Sequence, residues 1–374
     1  LSQRERSGGI GSMIAEGIGI ILAKLAFVLL FVLNFGGLLT WVERKQSAVM
    51  QDRIGANRAS IFGLRMIGLF HTIADSVKMF TKESFRPADA EKFLFTFAPA
   101  ISVFFALIGF AVIPFGDKLI IGNTVINLQL APLNVGVLYL FAVAGMAVYG
   151  VVLGAWASRN NFALLGGLRA SAQMISYEVA LGVTIIGSLM IYQTVDLQAI
   201  VRLQGDTFWG WLPMWGVLLQ PVGFILFLTV GIAETKRIPF DAPEGESEII
   251  GYFVEYSGMG FGMYMLTDFV ETVMIAAITT TLFFGGWQVP YLAADGFHFP
   301  WGSDLALQNW LVALLQVLSF TLKVMFFLWL QMTIRWTLPR FRYDQIMRLG
   351  WQYILPISLA NILITGLVIV LIGS

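Results

Sequence analysis

Eight apolar runs, each long enough to cross a lipid bilayer, leave this chain of 374 residues few ways to fold. They lie near 18–41, 93–115, 134–157, 172–193, 214–234, 263–287, 310–334 and 352–372. At about 1.5 Å of rise per residue, a helix over any of them covers a hydrocarbon core of roughly 30 Å. Hydrophobic residues make up 57% of the chain and charged residues 12%, and the mean hydropathy is +0.79. So few charges cannot clothe a soluble domain of this length. The expected fold is an all-α integral membrane protein of about eight transmembrane helices, a single membrane domain over 1–374.

Charge then fixes an orientation. The formal net charge is zero, so no overall attraction to nucleic acid or anionic lipid follows. Position matters more. The segments after the first, third, fifth and seventh runs hold 17 of the 23 basic residues, from Arg44 and Lys45 in the first to Arg342 and Arg348 in the last. By the positive-inside rule these segments face the cytoplasm, and both termini face outward. Arg4 and Arg6 precede the first run, which is too long for a signal peptide and is read as a spanning helix. No strong internal repeat is present, which counts against a transporter built from two matching halves.

The first inward segment, 43–92, is patterned. Phe62, Met66, Leu69, Phe70, Ile73, Val77 and Phe80 recur at three- and four-residue steps, with His71, Asp75, Lys78 and Lys82 opposite. The spacing predicts an amphipathic helix near 61–82 lying in the membrane interface. A surface anchor explains that periodicity by itself. A functional role needs a ligand between this helix and the bundle.

The third inward segment is the most unusual: Ala233-Glu234-Thr235-Lys236-Arg237-Ile238-Pro239-Phe240-Asp241-Ala242-Pro243-Glu244-Gly245-Glu246-Ser247-Glu248. Pro239 and Pro243 stop the preceding helix and hold the backbone extended. The glutamates complement the dipole at the start of the next helix. As a crowded set that includes Asp241, with Glu255 close by, they also raise one another's pKa and can share protons. Lys24, Glu178, Glu234, Asp268, Glu271 and Lys323 lie at or near membrane depth, where ionisable groups face a bundle interior or water. Asp268 and Glu271, three apart, share a helix face. For Lys323 the expectation is a buried ion-pair partner. Together these residues outline a polar file across the bundle.

Several classes of chemistry are excluded. The chain has no cysteine and two histidines, His71 and His298, so it carries neither a disulfide framework nor thiolate ligands for an iron–sulfur cluster. Neither histidine lies in an apolar run, which argues against a membrane b-type haem. His71 is solitary among potential metal ligands. Gly166-Gly167 and Gly285-Gly286 fit no nucleotide-binding loop. The outward segment 285–309, with Trp287, Tyr291, Phe297, Phe299 and Trp301, reads as an interfacial aromatic belt.

The motifs as a set resemble a known family. Glu43-Arg44-Lys45, Gln51, Arg53, Gly55, Asn57, Ala74-Asp75, Lys78 and Lys82-Glu83 look like the first inward loop of the quinone-site membrane subunit of respiratory complex I. Trp156-Ala157-Ser158, Leu164 to Arg169 and Ala172 to Glu178 match as well. The acidic loop follows that family's Ala-Glu-Thr-x-Arg-x-Pro-Phe-Asp-x-x-Glu-Gly-Glu-Ser-Glu signature, with Glu255-Tyr256 after it, and Arg335 to Gln345 matches near the end. The resemblance runs from the first helix to the eighth.

It implies a membrane-arm subunit of a proton-pumping NADH:quinone oxidoreductase in the bacterial inner membrane. No redox centre belongs to such a chain. Its loops shape a tunnel for quinone, the substrate, which reaches an iron–sulfur cluster in an adjacent subunit. The implied partners are the peripheral-arm quinone-site and iron–sulfur subunits, small membrane-arm subunits and lipid, with no nucleic acid. By position, Arg44, Gln51, Arg53, His71 and Asp75 fall at the tunnel. Glu178, Glu234, Asp241, Glu244, Glu246, Glu248, Glu255 and Asp268 fall among the acids that couple quinone reduction to proton movement. The chain also departs from the pattern. Ala56 stands for a proline and His71-Thr72 for Gln-Pro; Asp268 replaces a glutamate, and Glu271 stands at an uncharged position. The step from Glu248 to Glu255 is one residue shorter, which turns a helix face by about 100°. A membrane anchor of an energy-converting hydrogenase and a stand-alone ion transporter are the competing classes.

Overall fold

The computed structural model describes residues 17–121, 124–208, 212–245, 251–298 and 304–373. Within them, seven helices are long and apolar enough to span a bilayer. The helices are α1 (Ile18–Met50), α2 (Phe70–Thr81), α3 (Lys92–Ile108), α4 (Gly136–Ala157), α5 (Asn161–Tyr192), α6 (Leu197–Gln204), α7 (Gly216–Leu219), α8 (Pro221–Glu234), α9 (Gly258–Phe283), α10 (Asn309–Thr337), α11 (Tyr343–Arg348) and α12 (Leu355–Gly373). A π-helical turn over Leu349–Ile354 joins α11 to α12, so the two act as one span.

The eighth expected span, 214–234, is broken. Gln220 leaves the helical region at φ −135° and ψ 59°, as a residue before proline is driven to do. The backbone stays paired across the break, Gln220 N donating to Gly216 O at 2.7 Å and Gln220 O accepting from Phe224 N at 2.9 Å. The buried Gln220 amide is held by α12, donating to Thr365 Oγ1 at 2.6 Å and accepting from Asn361 Nδ2 at 2.9 Å. A helix interrupted inside a membrane protein needs such partners, because lipid offers none.

Two helices run past their apolar cores. α1 continues to Met50, one turn and more beyond the run that ends at Trp41. α5 starts at Asn161, where Asn160 Oδ1 accepts from Phe162 N at 2.9 Å and caps the first turn. Both extensions carry polar residues out of the bilayer on the inward side.

α9 is the central helix. Val270, Val273, Ala276 and Ala277 are fully buried, with α1, α3, α8 and α10 packed around them. Thr279, Thr280 and Thr281 sit in this core by donating to carbonyls four residues back at 2.7–2.8 Å, which removes the cost of an unpaired hydroxyl.

The amphipathic segment is shorter than its periodicity predicts. Its α-helix covers only Phe70–Thr81, after a kinked 3-10 turn at Met66–Gly68; Phe62, Met66 and Ile67 have positive φ, so Phe62 and Met66 do not share its stripe. Its polarity also faces the other way from a core helix. Asp75 turns toward α1 and His71 toward the 58–59 backbone, while Ile73, Val77 and Phe80 are 53%, 54% and 72% exposed.

Outside the helices the structure adds small antiparallel pieces. β1 (Lys118–Ile121) pairs with β2 (Thr124–Asn127), β3 (Thr207–Phe208) with β4 (Leu212–Pro213), and β5 (Leu292–Ala293), β6 (Gly296–His298) and β7 (Asp304–Ala306) form a three-stranded sheet. The segment read as an aromatic belt therefore contains this sheet. Trp287 is buried there against Gln198, not lying in an interface, and Phe299 and Trp301 lie outside the described residues.

Lys323 also departs from expectation. Its ammonium donates to Phe284 O, Gly286 O and Gln288 O at 2.8, 3.0 and 2.6 Å, the carbonyls beyond the C-terminal end of α9. Carbonyl dipoles at a helix end attract a cation as a carboxylate would, so the expected ion-pair partner is not needed.

Candidate functional site

The inward ends of α1, α5, α8, α9 and α10 gather the charged residues into three adjoining groups. The first joins α1 to α2. Arg44 Nη2 lies 2.6 Å from Asp75 Oδ2, and Lys78 Nζ lies 3.3 Å from Asp75 Oδ1. Trp41 Nε1 donates to Ile67 O at 3.1 Å and ties the intervening loop down. His71 Nε2 accepts from the backbone N–H groups of Arg58 and Ala59, each at 3.2 Å, so this histidine organises the loop as an acceptor. Arg53 Nε donates to Gln51 Oε1 at 2.7 Å on the exposed rim.

The second group surrounds the loop after α8. Glu43 takes Arg335 at 3.1 Å and Arg237 at 3.4 Å, and the Arg237 guanidinium stands 4.1 Å from the ring centre of Phe269. Arg340 Nη2 meets Asp241 Oδ2 at 2.6 Å, while Asp241 Oδ1 accepts from Glu244 N at 3.1 Å. Gln173 Nε2 fixes the loop to α5 by donating to Ala233 O at 2.8 Å and Phe240 O at 2.7 Å. Burial pushes the Asp241 carboxyl up to about 6, even with Arg340 beside it. Burial, then the charges of Asp268 and Asp241, push Glu244 up to about 8.

The third group is the deepest. Lys236, 1% exposed, places Nζ 3.2 Å from Asp268 Oδ1 and 3.3 Å from Glu271 Oε2. The predicted shared face of Asp268 and Glu271 is real, and a cation occupies it. Beyond Glu271 lies a cavity of about 50 Å³, apolar except for Glu178, Glu234, Thr235 and Glu271. It is large enough for a few water molecules and has the polar groups to hold them. Glu234 Oε2 and Glu271 Oε1 are buried without a hydrogen-bond partner among the described residues.

Gly145 decides how Glu178 reaches that cavity. A Cβ at Gly145 would stand 2.5 Å from Glu178 Oε1 and 2.8 Å from Oε2. A side chain at this point of α4 would push the end of the Glu178 side chain out of its present place.

The expected site residues therefore divide. Arg44 and Asp75 come together, as do Asp241 with Glu244, and Glu178 with Glu234. Asp268 reaches the last pair through Lys236 and Glu271. Glu255 lies apart, its carboxylate accepting from Asn160 Nδ2 at the start of α5. Glu246 and Glu248 lie outside the described residues. Lys24 and Lys323, expected in the same polar file, are elsewhere: Lys24 lines a different cleft with Phe27 and Phe115.

The sequence does not single out Glu43, Lys236, Arg237, Arg335 and Arg340 as site residues, although they bear on orientation or stand in the family motifs. The signal was present. Two cations within three residues of Glu234, at the end of an apolar run, demand buried partners. Among the described residues no group of three or more His, Cys, Asp or Glu side chains is placed to hold a metal ion.

Known proteins match this chain along most of its length. The family model described as NADH dehydrogenase matches residues 23–366. The NADH-quinone oxidoreductase H subunit 1 of Cytophaga hutchinsonii is 44% identical over 333 residues, covering 89% of this chain and 91% of that one. The H subunit 2 of the Rhizobium meliloti enzyme is 41% identical over 352 residues, covering 94% and 98%. The H subunit 1 of the Geobacter metallireducens enzyme is 41% identical over 359 residues, covering 96% and 99%.

Proposed function

The chain belongs to the NADH dehydrogenase family, with the H subunits of NADH-quinone oxidoreductase, and from that membership we propose that it walls the quinone tunnel and begins the proton relay. It is a multi-pass membrane-arm subunit of a proton-pumping enzyme in the energy-transducing inner membrane, and it works in association with other subunits. Electrons are supplied elsewhere in the assembly. The neighbouring iron–sulfur and quinone-site subunits dock on the inward, positively charged face, and quinone enters from the bilayer.

One observation carries this reading. Carboxylates follow one another from the loop (Asp241 and Glu244) through Asp268 and Glu271 to Glu234 and Glu178 in the bundle. Loop acids near the quinone headgroup sense its change of charge on reduction, and charge is felt strongly where water is excluded. A proton gained or lost at Glu244 alters Asp268, and Asp268 alters the pair around Lys236. Arg44, Gln51, Arg53, His71 and Asp75 hold the loop and α2 that form the tunnel mouth. Glu246, Glu248 and Glu255 join the coupling acids in this reading by their place in the acidic motif of the sequence.

Glu234→Gln in the assembled enzyme, reconstituted in sealed vesicles, tests the reading. Proton translocation is expected to be lost with quinone turnover much reduced, because the two are coupled. Translocation at the normal rate in that variant removes the bundle acids from the pathway.

A further inference from the structure

Lys236 lies two residues beyond the end of α8, and Glu271 lies in the middle of α9. The structure brings these two residues to 3.3 Å, with Asp268 at 3.2 Å on the other side of the same ammonium. One cation is thus held almost equally between two carboxylates, with Lys236 and Asp268 buried and Glu271 nearly so. Glu271 has a second neighbourhood as well, since it lines the cavity that Glu178 and Glu234 share.

We propose that Lys236 is a positioning residue of the proton relay, a cation shared between Asp268 and Glu271 that keeps Glu271 ready to take a proton from the cavity. The step is a transfer between carboxyl groups. The proton leaves the carboxylic acid of Glu234 or Glu178 and binds a Glu271 oxygen. The donor becomes a carboxylate, and Lys236 stays an ammonium. Once Glu271 is neutral it attracts Lys236 less, and the ammonium closes on Asp268. When the proton moves on, the cation returns to its shared place. A short shift of Nζ therefore reports cavity protonation to Asp268, whose charge acts on Glu244 in the loop.

The other charged and titratable groups around Lys236 support this division. Glu234 and Arg237 flank it in sequence, and Arg237 is already engaged by Glu43. Tyr252 presents its ring 6.0 Å from Nζ. Tyr264 donates its hydroxyl to Gly150 O at 3.1 Å. Neither phenol offers a carboxylate's charge, and burial holds Tyr252 far above its ordinary range. Lys236 is left as the one cation touching both Asp268 and Glu271 among the described residues.

The inference rests on the relay reading above, and the experiment separates the two. Quinone turnover against pH and proton translocation are measured in the assembled enzyme in sealed vesicles for K236Q, K236R, D268N and E234Q. Turnover that needs an ionised Glu271 has an acid limb. K236Q removes the stabilising cation, so the limb moves up by about one pH unit or more and turnover at neutral pH falls about tenfold. D268N removes a competing negative charge, so the limb moves down. K236R keeps the cation and stays close to the parent profile. A purely structural ion pair gives no such opposite displacements. Limbs that move the same way in K236Q and D268N, or not at all, overturn the proposal. If K236Q does not assemble, the near-isosteric D268N still decides by the direction of its shift. Loss of translocation in E234Q with unmoved limbs in D268N and K236Q rejects the Lys236 inference alone, whereas normal translocation in E234Q rejects the relay on which it stands.

Discussion

Asp75, in the middle of α2, closes on Arg44 of α1 at 2.6 Å, and this ion pair sets where the short helix lies. Arg44 is 43% and Asp75 24% exposed, so the pair adds about 1 kcal/mol or less to stability. Its importance is positional. Asp75→Asn is expected to leave assembly intact while quinone turnover falls about tenfold, because a misplaced binding wall is costly in rate. Arg53→Ala on the rim is expected to act in the same direction and more weakly. Unchanged turnover and quinone affinity in the intact enzyme would take both residues out of the tunnel.

Glu244 titrates in a useful range. Burial and two neighbouring acids push it up to about 8, so the folded protein keeps a proton there that the unfolded chain releases above the usual carboxyl range. The native state binds more protons between these values, and stability therefore falls as pH rises toward 8. Glu244→Gln should flatten that part of the profile. Thermal inactivation of the enzyme between pH 6 and about 9 measures it, and equal pH dependence in variant and parent would argue that Glu244 is ionised throughout.

Arg340 moderates Asp241. Asp241 sits at about 6 with the guanidinium in contact. Arg340→Gln leaves a buried carboxyl without its cation and should raise it further, so that Asp241 is mostly neutral at pH 7. Stability is then lost more steeply with rising pH than in the parent, since a proton must be given up inside the protein. Arg340 is 37% exposed, and solvent screening reduces the penalty below that of a fully buried pair. Melting curves at pH 6 and 8 on the assembled enzyme read the difference.

Gly145→Ala is expected to reproduce the effect of Glu178→Gln. The added methyl would lie 2.5 Å from Glu178 Oε1, and the carboxylate must shift from its place at the cavity to make room. Proton translocation should fall in both variants, and the double variant should be no worse than either single one. A normal G145A enzyme would mean that Glu178 has another productive position.

Sequence determined the class of this protein because bilayer length and hydrophobicity are local properties. Seven long helices, the inward bias of arginine and lysine, and the acidic loop are all readable residue by residue. So is the shared face of Asp268 and Glu271, which depends only on helical periodicity. What tertiary structure decided is which charges meet. Lys236 and Glu271 are distant in the chain, and nothing in the spacing of either says that one cation bridges two acids at 3.2 and 3.3 Å. The buried amide of Gln220 needed α12 for its partners, and Lys323 found carbonyls beyond the end of α9 where an acid was expected. Gly145 matters only because α5 packs Glu178 against it. Hydrophobic segments choose their own conformation in a membrane, whereas a buried charge chooses its neighbours, and those come from wherever the packing brings them.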